Sequence, residues 1–385
     1  MTPMMTIPFH RPYISDEEID AVADSLRKGW ITMGEKTVEF EKRFAAYIGG
    51  RNAVAVNSCT AALHLALKVI GLREGDEVIV PAMTFAATAE TVLYFNARPV
   101  FADVDRDTHL IDPADVARRV TKKTKAVIPV HYGGQPADLE ELRGAAGKGV
   151  WMIEDAAHSL PAWYRGKLIG SGGDITCFSF YATKTLTTGE GGMAVTPNEE
   201  WASRMGRLRL HGISNDAWKR YTGAGSWKYD VMEVGYKYNT TDINSAMGLV
   251  QLKKVDEMRN SRERIALQYD RAFAACPGIL PYRVKEDRVS SWHLYPLRLD
   301  IDRLTVSRDE FIRQMKERGI STSVHFIPMH HFSFYREMGL RADDYPGAEW
   351  IFQRVVSLPI FPSMTDAEVQ YVIDNVIDIV SRGRG

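Results

Sequence analysis

The chain has 385 residues, 45% of them apolar and 25% charged, and its 48 basic and 49 acidic side chains leave a formal net charge of −1. That balance suits a globular protein with a large core, in one big domain or two, and disfavours nucleic acid or an anionic membrane as partner. The opening "MTPMMTIPFHRPYISDEE" has no apolar signal core, no run is long enough to span a bilayer, and Cys59, Cys177 and Cys276 fit neither a disulfide framework nor a paired-ligand zinc site. The expectation is a cytoplasmic protein with reduced thiols and no metal.

"SDEEIDAVADSLRKG" (15–29) opens on a capping serine followed by acids and ends on glycine, which predicts a helix. "NAVAVNS" (52–58) reads as a buried strand, and "CTAALHLALKVIGL" (59–72) has helical apolar spacing. The alternation continues, with strands at "DEVIVPA", "RPVFADVD", "KAVIPVHY" and "VWMIED", and helices at "TFAATAETVLYFN", "DPADVARRV" and "ADLEELRGAAGK". Strand and helix in turn predict an α/β fold, with crossover units, a mostly parallel sheet and helices on both faces. From Gly170 to Val195 the pattern changes to short strands and turns. A long helix over 242–275 follows, then a strand at "SWHLYPLRLD", a helix at "SRDEFIRQMKERG", a strand at "STSVHFIP" and a last helix at "TDAEVQYVIDNVIDIVSRG". This divides the chain into a large unit over 1–254 and a small C-terminal α+β unit over 255–385.

In such a sheet, ligands collect at the carboxyl ends of strands, beside helix N-termini. Three such places carry chemistry. "NSCTAA" offers free backbone N–H groups and the hydroxyls of Ser58 and Thr60, a phosphate-sized anion site or a plain helix cap. "MIEDAAH" ends a strand on Glu154 and Asp155, of which alternation lets only one face a given pocket. An aspartate there pairs with a protonated ring nitrogen, holds a metal or caps the next turn. Lys184 follows the apolar run "ITCFSFYA" and precedes "TLTTGEGG". A partly desolvated lysine has a lowered pKa and attacks carbonyls.

"EDAAH" followed by "SFYATKTLTTGEGG", together with "GYKYNTTDINSAMGLVQL", "HFIPMHHFSFYRE" and "SLPIFPSMTD", resembles the sugar aminotransferases of the DegT/DnrJ/EryC1/StrS family. The resemblance covers nearly the whole chain. It implies pyridoxal 5′-phosphate (PLP) as cofactor and the PLP-dependent transferase fold type I, aspartate aminotransferase-like. It implies that Lys184 forms the Schiff base and shuttles the proton, while Asp155 keeps the pyridinium nitrogen protonated, the usual electron-sink arrangement. By the same resemblance His158 lies near the phenolic oxygen and Phe85 stacks on the cofactor ring. Thr60, Ala61 and Ser179 take the phosphate, and Asn239 comes from the second subunit of a homodimer with shared active sites.

The loop after Lys184 is similar to that of members which aminate carbon 4 of a nucleotide-linked keto sugar. "GWITMG", "VIPVHYGGQPADLEEL" and "HGISNDAW" bring the chain close to the members that make UDP-4-amino-4-deoxy-L-arabinose. The implied reaction is a ping-pong transfer from L-glutamate to a UDP-linked 4-keto sugar, with Trp30, Thr32, His325 and His330 as candidate sugar-nucleotide contacts. Two alternatives keep the fold: amination of a keto-cyclitol, and a non-catalytic regulatory PLP-binding protein. A sugar 3-dehydratase of this fold carries His in place of the lysine, which Lys184 argues against. A Rossmann oxidoreductase is also disfavoured, since "GSGGD" (170–174) neither follows the first strand nor opens a helix.

Overall fold

A computed structural model of the protein describes residues 5–49, 52–214 and 229–383. "HGISNDAW" therefore lies outside the described residues beyond Ser214. In chain order the elements are α1 (Asp16–Arg27), α2 (Glu35–Tyr47), β1 (Asn52–Val56), α3 (Cys59–Val69), β2 (Glu77–Pro81), α4 (Ala86–Leu93), β3 (Arg98–Ala102), α5 (Pro113–Arg119), β4 (Thr124–Val127), α6 (Leu139–Ala146), β5 (Trp151–Asp155), β6 (Trp163–Tyr164), β7 (Lys167–Leu168), β8 (Ile175–Ser179), β9 (Gly192–Thr196) and α7 (Glu199–Leu208). After these come α8 (Asp242–Phe273), β10 (Ile279–Leu280), β11 (Arg288–Val289), β12 (Tyr295–Leu299), α9 (Arg308–Glu317), α10 (Ser333–Glu337), α11 (Pro346–Phe352), β13 (Val355–Leu358) and α12 (Asp366–Arg382).

Seven strands form one sheet in the order β1-β9-β8-β5-β4-β2-β3. β9 runs antiparallel to both neighbours, and every other pairing is parallel. The carboxyl ends of β1, β2, β5 and β8 therefore open on one edge, where β9 begins. The near-continuous apolar strands Val78–Val80 and Met152–Ile153 are buried on both faces, as a sheet covered by helices requires.

Helix ends follow their caps. Ser15 and Glu18 form a capping box on α1, and Thr365 and Glu368 form another on α12. Helix α2 has only Gly34 at its N-cap. Its cap comes from 208 residues away: the Asp242 carboxylate accepts from the N–H groups of Gly34 (2.8 Å), Lys36 (3.1 Å) and Thr37 (3.0 Å). A side chain at 34 would run into the Trp30 indole, 2.1 Å from an added Cβ, so glycine is required there.

A second sheet, β10-β12-β13, is antiparallel. It packs with α9, α12 and the C-terminal half of α8 around Ile265, Tyr269, Leu297, Phe311, Val356 and Val376. Ile7, at the other end of the chain, joins this core and pairs with Ile320. The expected division at 254/255 falls inside α8, which runs unbroken from Asp242 to Phe273. The expected strand at "STSVHFIP" is absent apart from one bridge between Ser323 and Ser357. Beyond it the chain leaves the sheet to line a cavity.

Candidate active site

At the carboxyl edge of the large sheet lies a cavity of ≈ 330 Å³, the size of a small-ligand site. Its lining includes Thr60, Phe85, Asp155, His158, Ser179 and Lys184, and His325 enters from the stretch that follows α9.

Lys184 sits on a loop that binds itself. The Phe180 N–H donates to Gly191 O (2.9 Å), and the Thr188 N–H donates to Phe180 O (2.9 Å). Gly189 has φ +79°, and an added Cβ at Gly192 would lie 2.5 Å from the Ser58 backbone, so the glycines let β9 close against the start of α3. Helix α8 holds the loop from behind: Asn244 Nδ2 donates to the carbonyls of Thr188 (2.7 Å) and Glu190 (3.1 Å), and Gln251 Oε1 accepts from the Thr187 N–H (3.3 Å). Among the described residues no hydrogen bond or ion pair reaches the Lys184 amine. Burial lowers its pKa to about 8, with the Arg262 charge acting the same way and Cys59 and Asp155 opposing.

Alternation on β5 separates the two acids. Glu154 turns away and pairs with His131 (3.1 Å), whereas Asp155 faces the cavity. Asp155 accepts from Thr88 Oγ1 (2.8 Å) and the Ala157 N–H (3.2 Å). Burial raises its pKa above the usual carboxylate range, with the Thr88 and Ala157 bonds and the Lys184 charge opposing. His158 Nδ1 accepts from the Gly133 N–H (3.3 Å), and burial holds the ring neutral, so Nε2 carries the proton. Phe85 precedes α4 and is 65% exposed, leaving an uncovered ring on the cavity wall.

Thr60 and Ser179 line the cavity, but Ala61 does not, and its N–H is already bonded to the capping Ser58 Oγ (3.1 Å). Among the described residues Asn239, Trp30, Thr32 and His330 are also outside the cavity lining. Asn239 donates to the carbonyl of Thr240 (3.0 Å). Trp30 donates to Met33 O (3.3 Å), and the Thr32 carbonyl accepts from the first N–H of α8. His330 is buried against Tyr345, with Nε2 3.1 Å from Glu349. Sequence reasoning missed Cys59, Thr88, Glu190, His293 and Phe326, of which all but Thr88 line the cavity. Thr88 stands three residues after Phe85, one turn along a helix already predicted. The strand reading of "SWHLYPLRLD" concealed His293, which precedes β12.

The DegT/DnrJ/EryC1/StrS aminotransferase family pattern matches residues 12–377. The chain belongs to that family. It is 50% identical over 380 residues to the uncharacterized protein MJ1066 of Methanocaldococcus jannaschii, covering 98% of each. It is 48% identical over 377 residues to the spore coat polysaccharide biosynthesis protein SpsC of Bacillus subtilis, covering 97% of each. Among solved structures, the putative sugar aminotransferase Spr1654 of Streptococcus pneumoniae in its PMP form superposes with a TM-score of 0.91 at 36% identity, over 98% of this chain and 99% of that one. Its PLP form has also been solved and superposes equally well. The fold is that of the PLP-dependent sugar aminotransferases, and the family's cofactor is PLP.

This chain's residues fit that cofactor. Among the described residues the cavity combines an amine of lowered pKa with no bonded partner, a buried carboxylate with no cationic side chain bonded to it, an exposed aromatic ring and hydroxyls at a helix N-terminus.

Proposed function

We propose that this chain, a sugar aminotransferase, moves an amino group from L-glutamate to carbon 4 of a nucleotide-linked (UDP) 4-keto sugar in two ping-pong half-reactions. The observation that carries the reading is the meeting of the half-buried Lys184, with its pKa lowered to about 8, and the buried Asp155 in one cavity. When bound, PLP supplies the electron sink that makes the carbon bearing the amine acidic.

The chain's own residues do the rest. Lys184 Nζ would hold the cofactor's carbonyl carbon. The same Nζ would also take the proton from the donor's α-carbon and give one to the sugar's carbon 4 in the second half. A pKa near the operating pH suits a group that must both accept and give a proton. The Asp155 carboxylate, oriented by Thr88 Oγ1, would keep the cofactor's ring nitrogen protonated. His158 Nε2–H would donate to the cofactor's phenolic oxygen, and Phe85 would help to hold its ring. The hydroxyls of Thr60 and Ser179 and the N–H groups of Cys59 and Thr60 at the start of α3 would receive the phosphate. His325, held by Ser357 Oγ at 2.9 Å from its Nδ1, contacts the sugar.

Asn239 is excluded from its own chain's cavity, and we assign its contribution to the cavity of a second copy in a homodimer. Exposed apolar side chains support such an assembly: Ile19 and Leu26 on α1 and Val234 near Asn239 are 57%, 54% and 81% exposed.

The test is a spectral titration. The PLP-loaded protein is mixed with L-glutamate, and the visible absorbance of the Lys184-bound cofactor is followed. UDP-4-keto sugars are then added one at a time, beginning with the 4-keto-pentose. Loss of the band with glutamate and its return with one sugar supports the reading. Bleaching that no UDP sugar reverses moves the acceptor to a keto-cyclitol or another nucleotide. Failure to form the band defeats the proposal.

A further inference from the structure

His330, His331 and Glu349 bring two imidazoles and a carboxylate together outside the catalytic cavity, with one donor atom from each within 4.8 Å of the others. Both Nε2 atoms address one oxygen: Glu349 Oε2 is 3.1 Å from His330 and 2.7 Å from His331. The second oxygen, Oε1, is held by Gln353 Nε2 at 2.9 Å, which fixes the carboxylate and leaves Oε2 for the rings. His330 is also held from behind, stacked on Tyr345 at 5.5 Å with 9° between the planes, while His331 packs against Phe352. The three side chains are thus oriented by neighbours as well as by each other, which is what outer contacts do at a metal centre.

We propose that these three side chains form a site for a divalent first-row transition ion of the zinc class. Imidazole nitrogens with a single carboxylate oxygen suit zinc, nickel or cobalt, whereas calcium and magnesium prefer oxygen ligands throughout. An ion roughly 2.0–2.2 Å from each donor needs donors about 3.4 Å apart, so the N···O pairs at 3.1 and 2.7 Å open by about 0.3 and 0.7 Å. Three protein ligands leave a fourth position for water.

The ion would tie the turn Met329–His331 to α11 (Pro346–Phe352). That turn is also pinned to the large sheet, since the Met329 N–H donates to Ala82 O at 2.8 Å. His325 and Phe326, a few residues upstream, form part of the cavity wall. The site is therefore a clamp beside the His325–Phe326 wall of the cavity.

The experiment uses the PLP-loaded protein, stripped of metal and free cofactor, titrated with Zn²⁺ against a chromophoric chelator and with Co²⁺ followed by its visible d–d absorption. The expected result is one equivalent of Zn²⁺ per chain. Affinity should weaken by at least about tenfold in His331→Ala and in Glu349→Gln. Zn²⁺ should raise the melting temperature of the parent protein but not of either variant. His331 and Glu349 are not fully buried, so both variants should fold, and their melting temperatures without metal check this. Absence of a stoichiometric site in the parent protein overturns the proposal. So does an equivalent retained unchanged in both variants, which would place the ion elsewhere.

Discussion

The loop around Lys184 and the stretch from Val324 to His331 both face the cavity region, and they are held in opposite ways. The lysine loop closes on itself through Phe180, Thr187, Thr188 and Gly191, and only then is braced by Asn244 and Gln251 of α8. The second stretch is anchored from afar. Tyr132 Oη donates to the His325 carbonyl, Ser357 meets the His325 ring, Ala82 takes the Met329 N–H, and Glu349 takes both following histidines. A self-bonded loop takes its shape first from its own residues and its final placement from the brace behind it. A remotely anchored stretch takes its shape from the rest of the protein, and its residues face wherever those anchors turn them.

The largest effect should come from the centre of the first region. Lys184→Ala should lower turnover by at least about 10³-fold, because it removes both the attachment point and the proton carrier. Steady-state assay and the visible cofactor band check this together. A variant that keeps the parent rate would refute the assignment of Lys184. The lowered pKa gives a second measurement. Only the unprotonated amine attacks a carbonyl, so capture of PLP by the cofactor-free protein should rise about tenfold per pH unit up to pH about 8 and level off above it. An exposed lysine continues to rise to about pH 10.4. A profile that followed the exposed lysine would mean that burial does not set the reactivity of Lys184.

The same contrast explains what could be read from the sequence. The sheet was legible because each buried parallel strand is a short apolar run closed by a helix signal, as in "NAVAVNS" before "CTAALHLAL". Lys184 and Asp155 stood out through the resemblance that "EDAAH" and "SFYATKTLTTGEGG" carry, whereas strand alternation alone left open which of Glu154 and Asp155 faces the pocket. The 325–331 stretch was not. "STSVHFIP" has strand-like alternation, but no neighbouring strand pairs with it beyond Ser323, and the remote anchors prevail. His330 carries the same chemistry as His325, and nothing local shows that one meets Ser357 beside the cavity and the other Glu349 outside it. Asp242 capping α2 from 208 positions away is invisible for the same reason.

Removing a brace should cost less than removing the lysine. Asn244→Ala frees the carbonyls of Thr188 and Glu190. It should lower kcat by roughly tenfold through misplacement of the amine, while global stability falls by only about 1–2 kcal/mol. Denaturant unfolding beside single-turnover rates separates the two. A stability loss without a rate loss would show that the loop holds its shape without α8.

The smallest effects test the second region by setting its two histidines against each other. His325 lines the cavity, so His325→Ala should raise KM for the sugar nucleotide by roughly tenfold, the value of one lost polar contact of about 1.4 kcal/mol. His330 is buried outside the cavity lining with its Nε2 on Glu349, so His330→Ala should change KM by less than about twofold in metal-free buffer. Equal effects would mean that the segment moves as one body and that its anchors are coupled. A larger effect at His330 would put that ring in the substrate path and reverse the order of the two residues. The predicted order follows from geometry alone: the two imidazoles are five positions apart on one stretch, and their remote partners turn one to the cavity and the other to α11 (Pro346–Phe352).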